Sequence, residues 1–139
     1  MTTAVRFPYL SPDPQSTSTI LLPLLPIQLG FHDQTVETVG LLDSGATVNV
    51  LPFTTGLQLG LVWEEPHPEM QLTGNLANLP AKGVIISAQA VSFPAVDLAF
   101  AWSQSDEIPL LLGQINFFMT FDICFFRSRN VFELLPKQN

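Results

Sequence analysis

The chain is short of charge, and above all of positive charge. Charged residues make up 12% of its 139 residues, and 5 Lys and Arg residues stand against 12 Asp and Glu, for a formal net charge of −7. Soluble domains usually carry about 25% charged residues. Five dispersed cations cannot form the basic patch that nucleic acid or an anionic membrane requires. We therefore expect neither nucleic acid nor a membrane among the partners.

Cysteine and uninterrupted apolar runs are also scarce. Cys124 is the single cysteine, which excludes an internal disulfide and is typical of a reducing compartment, so we expect a cytoplasmic protein. We interpret Cys124 as a small buried residue of a strand. The apolar stretch 20–27 contains Pro23 and Pro26 and is much shorter than the roughly 20 residues of a spanning helix. It predicts neither a membrane anchor nor a secretory signal.

Hydrophobic residues, by contrast, are abundant and reach 47% of the chain. A domain of this length holds its own core. The shortage of charge indicates in addition that some apolar surface is covered by another chain, so we expect an obligate oligomer. Residues 1–19 are rich in Ser, Thr and Pro and predict a flexible N-terminal arm, followed by one domain over residues 20–139.

Short apolar segments separated by turn signals, with no internal repeat, predict a mainly β fold. Pro52 and Gly60 suit the two ends of a short helix, and residues 114–120 predict another. Thr73-Gly74-Asn75 predicts the tip of a hairpin. We expect strands within residues 20–29, 35–42, 48–51, 83–91, 93–102, 108–112, 121–126 and 131–135.

Asp43 lies between two apolar, strand-like runs, where an ionised carboxylate must be paired, hydrogen-bonded or partly protonated. Gly45 permits a tight turn whose backbone amides reach the carboxylate, and Ser44 adds a hydroxyl. A second apolar motif, Leu110-Leu111-Leu112-Gly113, ends 70 residues after Asp43. The alternative interpretation of Asp43 is a turn residue without chemistry.

These two motifs resemble those of the retropepsin-like aspartic proteases. The segment Leu41-Leu42-Asp43-Ser44-Gly45-Ala46 is similar to the signature apolar-apolar-Asp-Ser/Thr-Gly-Ala, and Leu111-Leu112-Gly113 is similar to the later apolar-apolar-Gly. Over residues 20–136, the resemblance implies a closed retropepsin-like β-barrel with one flap hairpin and one or two short helices. It implies no metal and no cofactor.

The resemblance also assigns roles to residues of this sequence. Asp43 is implied as the catalytic residue. The implied support of the active-site loop consists of Ser44, Gly45 and Ala46, and that of the second motif of Leu111, Leu112 and Gly113. The implied flap, which closes over substrate, comprises Leu72, Thr73, Gly74, Asn75 and Leu76.

The sequence contains the Asp-Ser-Gly motif once, whereas hydrolysis by this chemistry needs two carboxylates that share a proton. The resemblance therefore implies a symmetric homodimer that hydrolyses peptide or protein substrates next to apolar residues, with one Asp43 from each chain. Ser44 is then implied to hydrogen-bond across the axis. Retroviral members often carry an Asp–Arg ion pair where this chain has Thr47 and Gln114, and we expect a hydrogen bond in its place.

Two other functions fit parts of the sequence. The same fold could serve as a catalytically silent module for peptide binding or dimerisation, and the neutral Thr47 and Gln114 leave room for that. Metal-dependent hydrolysis would use His67 with Glu64, Glu65 and Glu69, but a solvated acidic loop is the favoured interpretation of these residues. We interpret Trp63 and Trp102 as core or interface anchors.

Overall fold

The computed structural model describes residues 3–13, 15, 20–72 and 79–138. Within these ranges the chain forms ten strands and two short α-helices. They are β1 (Val5–Pro8), β2 (Leu24–Phe31), β3 (Gln34–Leu42), β4 (Asn49–Leu51), α1 (Phe53–Gln58), β5 (Glu69–Gln71), β6 (Pro80–Gln89), β7 (Val96–Ser103), β8 (Leu111–Leu112), α2 (Phe117–Thr120), β9 (Phe121–Phe126) and β10 (Val131–Pro136). No helix of the described ranges is long and apolar enough to span a membrane.

Six of the described strands close into a barrel in the order β2-β3-β8-β4-β7-β6. The ring closes where Gln28 to Gly30 of β2 pair with Ser87 to Gln89 of β6. The pairs β3–β8 and β4–β7 are parallel, and β5 extends the barrel from β6 in the antiparallel sense. The predicted mainly β class with a closed barrel is confirmed.

Alternation of side chains fills the barrel. On β2, Leu25, Ile27 and Leu29 are buried, whereas Pro26 between them points outward and is exposed. Because successive strand residues point to opposite faces, a proline on the outer face leaves the inner face apolar. Pro26 therefore lies within β2 without interrupting the apolar core.

The first strand corrects the expectation of a flexible arm over residues 1–19. Val5–Pro8 pairs with β10, which also pairs with β9, in a separate sheet of the described chain. The Phe7 ring stacks on Phe132 at 5.1 Å, and Tyr9 is buried in the core. The Ser, Thr and Pro residues that follow dominate the composition of residues 1–19, so the sequence did not predict this short strand. The division of the chain after residue 19 stays a prediction.

Cys124 is exposed, so its interpretation as a buried residue is wrong. It lies on β9 opposite Glu133 of β10, and Glu133 in turn lies opposite Arg6 of β1. Arg6 and Glu133 form an ion pair at 2.7 Å. Residues directly opposite one another share a face of a sheet. Cys124 is therefore on the solvated face of this sheet.

The helix predicted from Pro52 is confirmed as α1, and it packs against Trp102 of β7. Trp102 is fully buried and donates its indole N–H to the carbonyl of Phe53 at 3.1 Å. A Cβ at Gly56 would lie 2.1 Å from the Trp102 nitrogen, so this helix position requires glycine. Trp63 packs edge-on against Trp102 at 5.1 Å. The interpretation of both tryptophans as anchors agrees with these contacts.

Asp106 caps the beginning of α1 from a distant part of the chain. The Thr54 hydroxyl donates to Asp106 Oδ2, and the Thr54 N–H donates to Asp106 Oδ1 at 2.8 Å. The hydroxyl bond and then the backbone bond hold the pKa of Asp106 below its ordinary value. A carboxylate whose pKa is lowered by folding stabilises the protein above its unfolded pKa, and this contribution is lost as the pH falls through the folded pKa.

We expect Asp106→Ala to lower the free energy of unfolding near neutral pH by about 0.5–1 kcal/mol, the usual cost of losing a helix cap. The difference from the original chain should shrink at about pH 2, below the unfolded pKa of about 3.9 for an aspartate. Urea unfolding at both pH values measures it. Glu107→Ala, at the neighbouring exposed carboxylate, is the control. An equal loss at both pH values would contradict the ionic character of this cap.

Candidate active site

Asp43 follows β3 directly and is held by main-chain hydrogen bonds. Its N–H donates to the carbonyl of Leu112 at 3.0 Å, and its own carbonyl accepts the N–H of Ala46 at 3.1 Å. The Gly45 N–H donates to Asp43 Oδ1 at 2.9 Å. The tight turn that the sequence predicted at Gly45 thus carries a backbone amide to the half-buried carboxylate.

The second motif lies beside the first. Strand β8 is inserted between β3 and β4, with Leu111 opposite Leu41 and Leu112 opposite Leu42. A Cβ at Gly113 would lie 2.7 Å from the carbonyl oxygens of both Ala46 and Val48. Only glycine permits this approach, so the end of the second motif packs directly on the main chain of the Asp43 loop.

Asn49 joins the two motifs and was missed by the sequence-based prediction. It is fully buried, and its Oδ1 accepts the Gly113 N–H at 2.8 Å while its Nδ2 donates to the carbonyl of Ala99 at 3.0 Å. Asn116 Oδ1 accepts the Ala99 N–H at 2.7 Å. An amide inside an apolar strand is costly unless it is bonded. The signal that could have identified Asn49 was its place as the single polar residue between Val48 and Leu51.

Gln114 makes hydrogen bonds to the main chain of the Asp43 loop. Its side-chain Nε2 donates to the carbonyl of Ser44 at 2.7 Å, and its backbone N–H donates to the carbonyl of Ala46 at 2.9 Å. The Thr47 carbonyl accepts the N–H of Ile115 at 2.8 Å. Gln114 therefore bonds to the main chain of Ser44 and Ala46, and a hydrogen bond between Gln114 and Thr47 in place of the ion pair stays a prediction. The reach of the Ser44 hydroxyl to a second chain stays a prediction.

The hairpin predicted as a flap is described at its base. Strands β5 and β6 pair with Met70 opposite Ala81, and the Leu72 N–H donates to the carbonyl of Leu79 at 3.0 Å. Leu72 is buried and packs in one cluster with Ala46 of the Asp43 loop. Thr73, Gly74, Asn75 and Leu76 lie outside the described residues, so their role as a flap stays a prediction.

A search of the solved structures found a match to the fold of this chain. The crystal structure of a retropepsin-like aspartic protease from Rickettsia conorii matches with a TM-score of 0.62 over 96% of this chain and 92% of that chain, at 16% sequence identity. This chain has a retropepsin-like fold. The resemblance inferred from the two motifs is thereby confirmed at the level of the fold. Comparisons with protein-family models and with curated proteins found no match.

In this retropepsin-like chain, an apolar cluster lies between the Asp43 loop and the hairpin base. Its buried members are Ala46, Val50, Leu72, Ala81, Ala101, Ile108 and Leu111. Through Ala46, the Asp43 loop thus shares a buried apolar core with Leu72 and Ala81 of the hairpin base.

The alternative metal site was expected around His67. Among the residues that the structure describes, no three His, Cys, Asp or Glu side chains are grouped so that they could hold a metal ion. The His67 ring lies edge-on to Trp102 at 6.2 Å, and its Nε2 lies 3.3 Å from the carbonyl of Val62. His67 therefore packs against the aromatic cluster of α1 and β7.

Proposed function

We propose that this chain is an aspartic endopeptidase that acts as a homodimer, with one Asp43 from each chain. The observation that carries the proposal is the Asp43 loop, because Gly45 donates a backbone N–H to the carboxylate within a retropepsin-like fold. The chain supplies this motif once. A pair of carboxylates that shares one proton needs a second copy of the chain.

The proposed reaction follows from two facing carboxyl groups. One Asp43 carboxylate removes a proton from water as the water oxygen attacks the scissile carbonyl carbon. The partner's Asp43, carrying the shared proton, donates it to the carbonyl oxygen, which gives a tetrahedral diol. Collapse of the diol breaks the C–N bond as the leaving nitrogen takes the proton that the first Asp43 removed from water, while the partner's Asp43 takes a proton from a diol hydroxyl and the C=O bond re-forms. Because the pair must hold one proton, we expect activity on the acid side of neutrality.

The surroundings favour substrates with apolar side chains. The cluster that contains Ala46, Leu72 and Leu111 is a buried core, and the partly buried Leu41, Val48 and Leu79 packed against it are its apolar side chains that remain partly exposed. Burying one apolar side chain there contributes about 1.5–3 kcal/mol to binding. We therefore propose cleavage next to apolar residues of a peptide or protein. Closure of the hairpin over the substrate would exclude water other than the attacking molecule.

We expect the purified chain to cleave peptides that contain neighbouring apolar residues, and a statine-type mimic of the tetrahedral diol to inhibit it. Sedimentation with this mimic present should give about twice the chain mass of 15.3 kDa, because the bound state requires both carboxyl groups. A chain that stays monomeric with the mimic contradicts the proposal. A dimer that binds peptides but cleaves none between about pH 3 and 8 would instead indicate a silent binding module.

A further inference from the structure

We propose that Gln114 is a positioning residue that holds the Asp43 loop by an uncharged clamp, so that the loop keeps its geometry while the carboxyl groups titrate. The proposal rests on the proposed function for its effect on catalysis. The clamp itself is a property of the folded chain, and it is measurable without any substrate.

The clamp acts on the two residues that flank Gly45. Gln114 Nε2 donates to the carbonyl of Ser44 at 2.7 Å, and the Gln114 N–H donates to the carbonyl of Ala46 at 2.9 Å. Gly45, between these two fixed carbonyls, donates its N–H to Asp43 Oδ1 at 2.9 Å. The orientation of the carboxylate is thus connected to Gln114 through a single residue of main chain.

The residue before Gln114 is closely packed and hydrogen-bonded. The preceding Gly113 is packed against the carbonyls of the Asp43 loop and donates its N–H to the buried Asn49. The carbonyl of Gly113 accepts the N–H of Phe118 in α2 at 3.1 Å. The main-chain bonds of Gly113 and Gln114 thus fix the point from which the Gln114 side chain reaches Ser44. A clamp of this kind positions a group that it does not touch.

The segments that form the clamp are nearly free of ionisable groups. Asp43 is the only ionisable side chain between Thr38 and Trp63, and residues 108–121 contain none. The ionisable residues of the elements around these segments are Glu37 of β3, Glu69 of β5, Lys82 of β6, Asp97 of β7, Asp106 and Glu107 before β8, Asp122 of β9, and Lys137, whose N–H donates to Thr120 at the end of α2.

Two of these groups have bonding partners away from Gln114. The Lys82 ammonium donates to the carbonyl of Trp63, and Asp106 accepts from Thr54. A primary amide and a carbonyl do not titrate across the range in which carboxyl groups exchange protons. A carboxylate in a loop-holding ion pair would lose its charge in that same range. The neutral clamp separates the geometry of the loop from the protonation state of Asp43.

Gln114→Glu tests the proposal because it keeps the shape and makes the donor titratable. A protonated Glu can donate to the Ser44 carbonyl, whereas an ionised Glu cannot donate and faces carbonyl oxygens. We expect kcat/KM to be close to that of the original chain at about pH 3 and about tenfold lower at about pH 6, the cost of leaving one bond unmade. Gln114→Leu should be impaired at every pH, and Gln58→Glu, at an exposed position of α1, should follow the original profile.

Hydrogen exchange provides a readout that does not depend on cleavage. The Ala46 N–H donates to the main-chain carbonyl of Asp43, so its protection reports the loop geometry. In Gln114→Glu, we expect protection to fall about tenfold relative to the original chain at about pH 6 and to match it at about pH 3. Parallel pH profiles of exchange in the two proteins would overturn the clamp. If the original chain cleaves no peptide while hydrogen exchange changes as expected, only the proposed function would be overturned.

Discussion

Asp43→Asn is expected to abolish peptide cleavage and to leave both the fold and the dimer in place. Asparagine keeps an oxygen that can accept the Gly45 N–H but can neither take a proton from water nor share one with a partner carboxylate. General acid and base catalysis by one group contributes about 10²–10⁴-fold, so the loss should be at least of that size. Peptide cleavage and thermal unfolding, measured on one preparation, check both parts.

Asp33→Asn is the matched control, because it makes the same chemical change at an exposed turn. Its activity and its midpoint temperature should equal those of the original chain. Cleavage retained by Asp43→Asn at a comparable rate would contradict the proposed role of Asp43. A fall in midpoint temperature of the variant alone would instead indicate that the carboxylate is structural.

Mixing the original chain with Asp43→Asn tests whether the site is shared between two chains. If each site needs one Asp43 from each chain, a heterodimer of the original chain and Asp43→Asn is inactive. Equal amounts of the two, after exchange of subunits, should leave roughly one quarter of the dimers active. Activity that falls only in proportion to dilution would contradict a site shared between two chains.

Asn49→Leu is expected to have the second large effect, on stability. The change keeps the branching of the side chain but leaves the Gly113 N–H and the Ala99 carbonyl without their side-chain partner. Each buried group that loses its partner costs about 1–3 kcal/mol, so the free energy of unfolding should fall by about 2–4 kcal/mol. The midpoint temperature should fall by on the order of 10 °C.

Gln28→Leu is the control for Asn49→Leu, because it removes an amide whose bond, to Glu37 at 3.5 Å, lies on the outside of the barrel. Its effect should stay within about 0.5 kcal/mol, as for other surface changes. A comparable effect of the two substitutions in urea unfolding would contradict the view that Asn49 joins the motifs. Below its midpoint temperature, Asn49→Leu should also cleave more slowly, because Gly113 supports the Asp43 loop.

Local sequence was sufficient where a feature depends on neighbours in the chain. Pro52 predicted the beginning of α1, and the apolar run after Thr120 predicted β9 at Phe121–Phe126. Gly45 predicted the turn that brings an amide to Asp43. The same approach failed at Val5–Pro8, because four strand residues beside a Ser, Thr and Pro-rich segment carry little signal until β10 pairs with them. It failed at Cys124 because strand alternation alone does not indicate which face is covered.

The sequence by itself determined the mainly β class, the single Asp-Ser-Gly motif and its apolar surroundings, since these depend on residue type and short spacing. Only the tertiary structure decided that β8 lies between β3 and β4, which brings Gly113 onto the Asp43 loop. It also decided that Asn49 bonds to Gly113 and that Gln114 bonds to the main chain of the Asp43 loop. These contacts join residues more than 60 positions apart, and their geometry follows from barrel closure rather than from local preference.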